Sequence, residues 1–499
     1  MAIRFACCYF LLLWTYNAPL TAQSRAYFPR SAPEAQGVVT DSILSFIDRV
    51  EAEFDVVHSI MVVRHGYSVA EGWWAPYERE APHIMHSLSK SFTSTAIGFA
   101  VQEGLLSLDD LVVSFFPDKK IGEPDRYWNQ MRIRDLLTMN TGHAEERWPD
   151  ANTEDWAQLF LGSDLDFLPG THFKYNSMAT YMLSAILQRA TGEKLVDYLD
   201  KRLFQPLRIP KPDWKTCPDG VNTGGWGLQI RTEDIARLGQ FYLQKGEWEG
   251  RQLLAREWVE QATSKQVSNG SDPESDWAQG YGFQFWQCRH GAYRGDGACG
   301  QFCIVMPEQD AIIAITSGTP DMHRLLQVVW EVLLPAMRAE PLFPQPEKEA
   351  KLRERLSNLK LPLVQEVSTA EARITDGVFQ MKPNNASLES VGFHLQEETP
   401  HIIFERTAGT DTLWLGQKTY RKGEVIHALP YTENLEPEVA ANGGWASPNI
   451  YEARVYLFHS PARITYTFQF EGGRLVMKSH LHQALLGRRD LQVLEGRRR

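Results

Sequence analysis

The sequence predicts an α+β fold: a three-layer α/β/α sandwich built on an antiparallel sheet with a helical subdomain, followed by a small all-β domain. Three observations predict it. Strand-like segments near residue 60 and again between 281 and 317 enclose a middle whose apolar residues recur at helical spacing. A proline- and charge-rich stretch from Glu340 to Lys360 marks a linker. Beyond it the chain holds only short alternating segments separated by turns. At 499 residues the chain is long enough to bury two cores.

Taken in order, Met1 to Arg4, the apolar run Phe5 to Tyr16 and the small residues up to Ala22 have the layout of a secretory signal. Residues 1–22 are therefore expected to be removed and the protein exported to the periplasm or medium. The run is short for a membrane span, so none is expected after cleavage. The first domain is expected over 23–345. It opens with Ile60 to Trp74, two strands around a glycine turn, and continues with helices at Ile133 to Met139, Ala179 to Thr191, Leu195 to Leu203 and Thr232 to Lys245. Strands return at Tyr281 to Cys288, Ala292 to Gly295, Gly300 to Met306 and Ala311 to Thr316, and are expected to pair with the first hairpin in one sheet. A linker over 346–360, with a short helix inside it from Lys348 to Leu359, leads to residues 361–499. There Ile402 to Glu405, Thr412 to Leu415 and Arg463 to Phe470 suggest an antiparallel barrel resembling a lipocalin, because closure removes exposed edges.

The formal charge of −11 argues against a nucleic-acid partner. Cys217, Cys288, Cys299 and Cys303 remain after the signal, which permits disulfides in an exported protein without defining their pairing. There is no C-x-x-C, no H-E-x-x-H and no tight His/Cys cluster, so neither a metal nor an organic cofactor is expected. His83, His86, His143, His172 and His290 are scattered and read as structural residues.

Chemistry concentrates at His86 to Ser94, where Ser87 and Lys90 are spaced S-x-x-K at the head of an apolar helical run. Residues three apart share a helix face, so the Lys90 amine can reach the Ser87 hydroxyl and take its proton once burial lowers its pKa. Helix-start amides favour developing negative charge, which makes the Ser87 N–H an oxyanion donor. Tyr175, in Gly170 to Ser177, is the candidate second base, since a cation beside a phenol favours phenolate. In Arg294 to Gln301 glycines allow close approach to a substrate, and the Ala298 N–H is the candidate second oxyanion donor. Trp226, Tyr281 and Trp286 suggest an aromatic wall.

These pieces, in this order, resemble the serine β-lactamase and penicillin-binding protein superfamily, in its class C-like branch of esterases, peptidases and amide hydrolases. Pro33 to Gly37, Leu136 to Met139, Phe173 to Ser177, Gly224 to Leu228, Asp234 to Arg237 and Gly297 to Gln301 are similar to the 6-aminohexanoate-dimer hydrolase type of that branch, over roughly residues 30–340. The resemblance implies acylation of Ser87, proton exchange through Lys90 and Tyr175, and an oxyanion held by the Ser87 and Ala298 amides. It implies a small-molecule ester, amide or peptide substrate. Two departures stand out. Ser177 occupies the place of the Asn in Y-x-N, which argues against β-lactam hydrolysis. Gly295-Asp296-Gly297 replaces K-T-G or H-T-G and removes a cation suited to a substrate carboxylate, leaving Asp296 to favour neutral or cationic substrates. Ser177, Asp296, Gly297 and Trp226 are the candidate substrate-binding residues. A different class remains open, a binding or sensor module that acylates without turning over, as does a substrate role for the C-terminal domain.

Overall fold

The computed structural model describes residues 27–123, 125–365, 367, 376–427, 437–483 and 487–499. The expected signal, residues 1–22, lies outside them. The first sheet comprises β1 (Val57–Arg64), β2 (Tyr67–Trp73), β3 (Trp286–Gln287), β4 (Tyr293–Gly297), β5 (Gln301–Met306) and β6 (Ala311–Ser317). Its order is β2-β1-β6-β5-β4-β3, antiparallel throughout, so N- and C-terminal strands pair as expected, with Ile60 opposite Ile315.

The apolar runs of β1 and β6 have no polar face because the sheet is covered on both sides. Alternation still sorts them. Met61, Val63, Ile312 and Ala314 face a core shared with α2 (Ser89–Gln102), α3 (Ser177–Thr191) and α4 (Thr232–Leu243). Ile60, Val62, Ile313 and Ile315 face the other core, which includes α1 (Thr40–Glu53) and α5 (Met322–Val328). That is the three-layer sandwich. The segment Tyr281 to Cys288 departs from expectation: only Trp286–Gln287 is strand, because Gly282 packs under the Ala262 carbonyl and Gln284 adopts φ 64°. Leu195 to Leu203 is also broken, an α-helix over Leu195–Leu199 continuing as a π-helical turn, Asp200–Phe204.

Within 346–360 the helix α6 (Pro346–Ser357) lies against the sheet, with Leu352 and Leu359 in the core beside α1. Among its described residues the second domain contains ten strands, β7 (Gly377–Met381), β8 (Leu388–His394), β9 (His401–Arg406), β10 (Gly409–Trp414), β11 (Arg421–Glu424), β12 (Glu438–Ser447), β13 (Ile450–Tyr456), β14 (Arg463–Glu471), β15 (Arg474–Gln483) and β16 (Gly487–Arg498). Their order is β10-β9-β8-β7-β16-β15-β14-β13-β12-β11. The outer strands meet where the Asp411 carboxylate accepts the Ile426 and His427 N–H groups, each at 2.8 Å, so the barrel is nearly closed. Two features differ from a lipocalin. The described residues form ten strands rather than eight, and Phe379, Phe393, Phe404, Phe468 and Phe470 fill the interior that a ligand would need.

The barrel is joined to the first domain rather than tethered to it. Ala440, Tyr456 and Phe458 belong to the same core as Val57, Trp74 and Tyr77. The turn after β13 carries His459, whose carbonyl accepts the Ile84 N–H at 2.8 Å and whose ring bonds the Pro82 carbonyl at 2.8 Å. The Tyr77 hydroxyl donates to the Ser460 carbonyl at 2.9 Å, and Tyr77 stacks on His58 at 3.7 Å. Deleting residues 350–499 would therefore strip a core and cannot serve as a clean test of substrate selectivity. Tyr77→Ala should cost about 3–5 kcal/mol by opening a cavity and orphaning that carbonyl. Equilibrium denaturation checks this; a loss below about 1 kcal/mol would mean the two domains are not joined through this residue.

Candidate active site

The site forms where one short strand, one helix start and one sheet edge converge. His83–Met85 pairs with Leu228–Ile230 and delivers the chain into a tight turn, with the Lys90 N–H bonded to the Ser87 carbonyl at 2.9 Å. Ser87 thus lies in the turn immediately before α2, two residues from its start rather than inside it, and is half-buried at the floor of a cleft of about 540 Å³. Gln301 clamps the approach: its side-chain oxygen accepts the His86 N–H at 2.7 Å, and its amide donates to the Ile84 carbonyl at 2.9 Å.

Helix α2 is buried on every side, which places Lys90 in the core with 1% exposure. Its Nζ lies 3.3 Å from Ser87 Oγ and donates to the Gly225 carbonyl at 3.0 Å. Burial lowers the Lys90 pKa to about 7, with Glu146 and Asp296 opposing the shift. An amine that is half neutral at pH 7 and adjacent to a hydroxyl can accept its proton.

Tyr175 joins this pair but in a different state from the one expected. Its ring lies 5.1 Å from Lys90 Nζ and stacks on Trp286 at 5.5 Å. Burial, followed by the Asp296 charge, raises the phenol well above its ordinary value, against the smaller opposing effects of its hydrogen bond with Ser87 and of the Arg294 charge. The phenolate expectation is corrected: desolvation outweighs the neighbouring cation, and Tyr175 is a neutral phenol near pH 7.

The β4 edge closes the site from the other side. A Cβ on Gly297 would lie 3.2 Å from the Ser87 amide nitrogen and 2.5 Å from Gln301 Oε1, so the glycine permits the strand to pass over that amide. Ala298 follows in the turn and lines the cleft. Asp296 also lines it, but its carboxylate accepts a hydrogen bond from Arg294 Nε at 2.9 Å and forms an ion pair with the same guanidinium, whose Nη2 is also 2.9 Å away. Arg294 is fully buried, lies over Trp277 at 4.5 Å and donates to the Asp276 carbonyl at 2.9 Å. The expectation that Asp296 offers a charge to substrate is therefore revised, because Arg294 already compensates it.

Ser177 lines the cleft at the start of α3. Its N–H and that of Met178 donate to the Glu146 carboxylate, the second at 3.2 Å, while the neighbouring Asn176 caps the helix through the Ala179 N–H at 3.2 Å. Trp226 forms one wall, against Trp148 at 5.1 Å and Trp156 at 5.8 Å, and Trp286 forms another. Tyr281 does not reach the cleft. It is buried behind Trp286 and Tyr175, edge-on to both.

Sequence reasoning missed Glu146, Trp148, Trp277, Met322 and the Gly225 carbonyl, all of which face the cleft or its lysine. None lies in a recognisable motif apart from Gly225. Gln284 was missed as well: it accepts from Thr180 Oγ1 at 2.6 Å and donates to the Leu136 and Leu137 carbonyls at 3.1 and 2.8 Å, holding α3 beside the site. All four described cysteines are buried free thiols, so the permitted disulfides do not form.

Comparison with known proteins agrees with this geometry. The beta-lactamase family model matches residues 48–335, more than half of the chain. A 6-aminohexanoate-dimer hydrolase of Paenarthrobacter ureafaciens is 24% identical over 286 residues, covering 53% of this chain and 73% of that protein. Among solved structures, a Bacillus anthracis protein provisionally named as a 6-aminohexanoate-dimer hydrolase aligns with TM-score 0.51 and 21% identity, over 64% of this chain and 89% of its own. SurE aligns over 89% of this chain and 98% of its own, with TM-score 0.50 and 16% identity, a likeness of fold that extends into the second domain. The chain belongs to the beta-lactamase family and is a serine hydrolase.

Proposed function

We propose that the chain is an exported hydrolase that cleaves a small neutral or cationic ester or amide through an acyl-enzyme on Ser87. The observation that carries this reading is the buried Lys90 amine, with its pKa near 7, at 3.3 Å from Ser87 Oγ. One Nζ hydrogen is held by the Gly225 carbonyl, which leaves the lone pair of the neutral amine for the Ser87 proton. The Ser87 oxygen then attacks the substrate carbonyl, and the Ser87 and Ala298 amides receive the oxyanion. The proton passes from Lys90 through the neutral Tyr175 phenol to the leaving group, giving the acyl-enzyme. Water attacks the acyl carbonyl with the same groups running in reverse, and Ser87 regains its proton.

The wall of the cleft supports a substrate class. Its lining carries Glu146 and the compensated Asp296 but no lysine or arginine among the described residues. The His86 ring, buried, is held down to about 4 and stays neutral. An anionic substrate would meet no cation there, whereas tryptophan faces accept neutral or cationic groups. Matched p-nitrophenyl esters with trimethylammonium, neutral and carboxylate tails should show kcat/KM at least about tenfold lower for the carboxylate, a difference of about 1.4 kcal/mol. Equal rates across the three would discard the charge argument. The Paenarthrobacter relative is named as a 6-aminohexanoate-dimer hydrolase, which supports including amino-terminated linear amides in the panel.

The reading as a whole is tested by a fluorophosphonate probe followed by peptide mass spectrometry and the ester panel. Label on Ser87 with steady turnover supports it; label with a single burst and no turnover would favour the acylated sensor instead. Export rests on residues 1–22, and a mature chain beginning at Gln23 after expression in a secretion-competent bacterium is the expected result.

A further inference from the structure

The barrel carries a cluster that sequence spacing conceals. His394 ends β8 and His401 begins β9, seven residues apart in the chain, and the antiparallel register makes them direct cross-strand partners. Their rings lie parallel, with centroids 4.5 Å apart, and Glu397 in the connecting turn faces both. His394 Nδ1 is 3.0 Å from Glu397 Oε1, and His401 Nδ1 is 3.8 Å from Glu397 Oε2. The Thr399 carbonyl lies 3.0 Å from the same His401 nitrogen. We propose that His394, Glu397 and His401 form a binding site for a zinc-class divalent cation, a staple across the β8–β9 turn that is separate from the hydrolytic cleft.

The argument is one of donor type and spacing. Two imidazoles and one carboxylate are a ligand set suited to zinc and unsuited to calcium or magnesium, which prefer oxygen alone. Bonds of about 2.0–2.1 Å in a tetrahedron put neighbouring donors about 3.3 Å apart. The three separations above bracket that value, and one donor atom from each of the three side chains lies within 4.8 Å of the others. Parallel rings do not yet aim both lone pairs at one point. Each must turn about its terminal torsion, a soft rotation, and the outward exposure of Glu397 leaves the approach open. The Thr399 carbonyl or a water would complete the shell. The earlier expectation of no metal rested on the absence of a tight cluster along the chain, and antiparallel pairing supplies one in space.

The test uses the full-length protein stripped with EDTA and titrated with zinc chloride at pH 7.5 by calorimetry, with the thermal midpoint measured alongside. The expected result is one zinc per chain at micromolar or tighter affinity and a higher midpoint with metal, since a ligand that binds only the folded state stabilises it. His394→Ala and His401→Ala should each weaken binding by about tenfold or more, while ester hydrolysis, which uses none of these residues, stays unchanged. Glu397 is exposed, so Glu397→Gln should weaken binding while keeping the midpoint of the metal-free protein. Absence of a one-to-one site, or zinc binding that survives in the His394→Ala/His401→Ala double variant, would overturn the proposal.

Discussion

Ser87→Ala is expected to lower hydrolysis of every substrate by about three to six orders of magnitude and to abolish fluorophosphonate labelling, with little change in stability. The loss is large because the hydroxyl is the atom that becomes acylated, and no nearby group replaces it: the Tyr175 phenol is neutral and the Lys90 amine lies beneath the serine rather than facing the cleft. The stability change is small because Ser87 sits half-buried in a turn held by Gln301 and by backbone bonds, while its hydroxyl bonds only to Lys90 and Tyr175 within the site. A shift within about 1 kcal/mol is expected. Steady-state assays on purified variant protein, with the thermal midpoint as a control for folding, decide it. Turnover retained at more than about a hundredth of the wild-type rate would remove Ser87 as the nucleophile.

The second large effect is on Lys90, where activity and stability should move in opposite directions. Its pKa is near 7 in the fold and 10.5 ordinarily. Between those values the unfolded chain holds a proton that the folded protein has released, so stability rises with pH across that window. Below pH 7 the full cost of burying the amine is present, on the order of 3–5 kcal/mol. Lys90→Met keeps the volume and removes the charge, at a cost of about 1–3 kcal/mol for leaving the Gly225 carbonyl without its partner. The variant should therefore unfold at a higher temperature than the wild type at pH 6 and lose that advantage toward pH 10. Its hydrolysis should fall by about three orders of magnitude or more, and in the wild type kcat/KM should rise with pH through about 7 as the amine becomes neutral. Calorimetry at several pH values checks the first statement; a gap that does not narrow with rising pH would contradict the buried-amine account. Tyr175→Phe combined with Lys90→Met should lose little more than either alone, since the two move one proton.

Much of the site was legible because its chemistry is local. Ser87 and Lys90 are one helical turn apart, so their spacing alone predicts that the amine and hydroxyl meet. Gly297 was legible for a similar reason: only a residue without a Cβ allows β4 to cross the Ser87 amide. Glu146 was not legible, since it reaches the α3 start from a segment with no regular structure and no motif. The state of Tyr175 was misread because a neighbouring cation is visible in sequence, whereas the burial that outweighs it is not. Asp296 was read as an available charge because the side chain of Arg294, two residues earlier on the same strand, folds back beneath it only in the assembled fold.

The strands told a parallel story. Alternating and continuous apolar runs placed β1, β5 and β6 within a residue or a few of their observed bounds, because periodicity reports burial directly. The stretch at Tyr281 to Cys288 looked equally strand-like, but packing of Gly282 and the turn at Gln284 left two residues of it in the sheet.

By itself, then, the sequence determined the family, the order of layers, the two-domain plan and the identity of the serine–lysine pair, all consequences of local periodicity and short spacing. Tertiary structure decided the rest: the lysine pKa, the neutral phenol, the compensated aspartate, the filled ten-strand barrel and the pairing of His394 with His401. Each of these depends on desolvation or on how the folded backbone brings side chains together, and neither exists until the chain has folded.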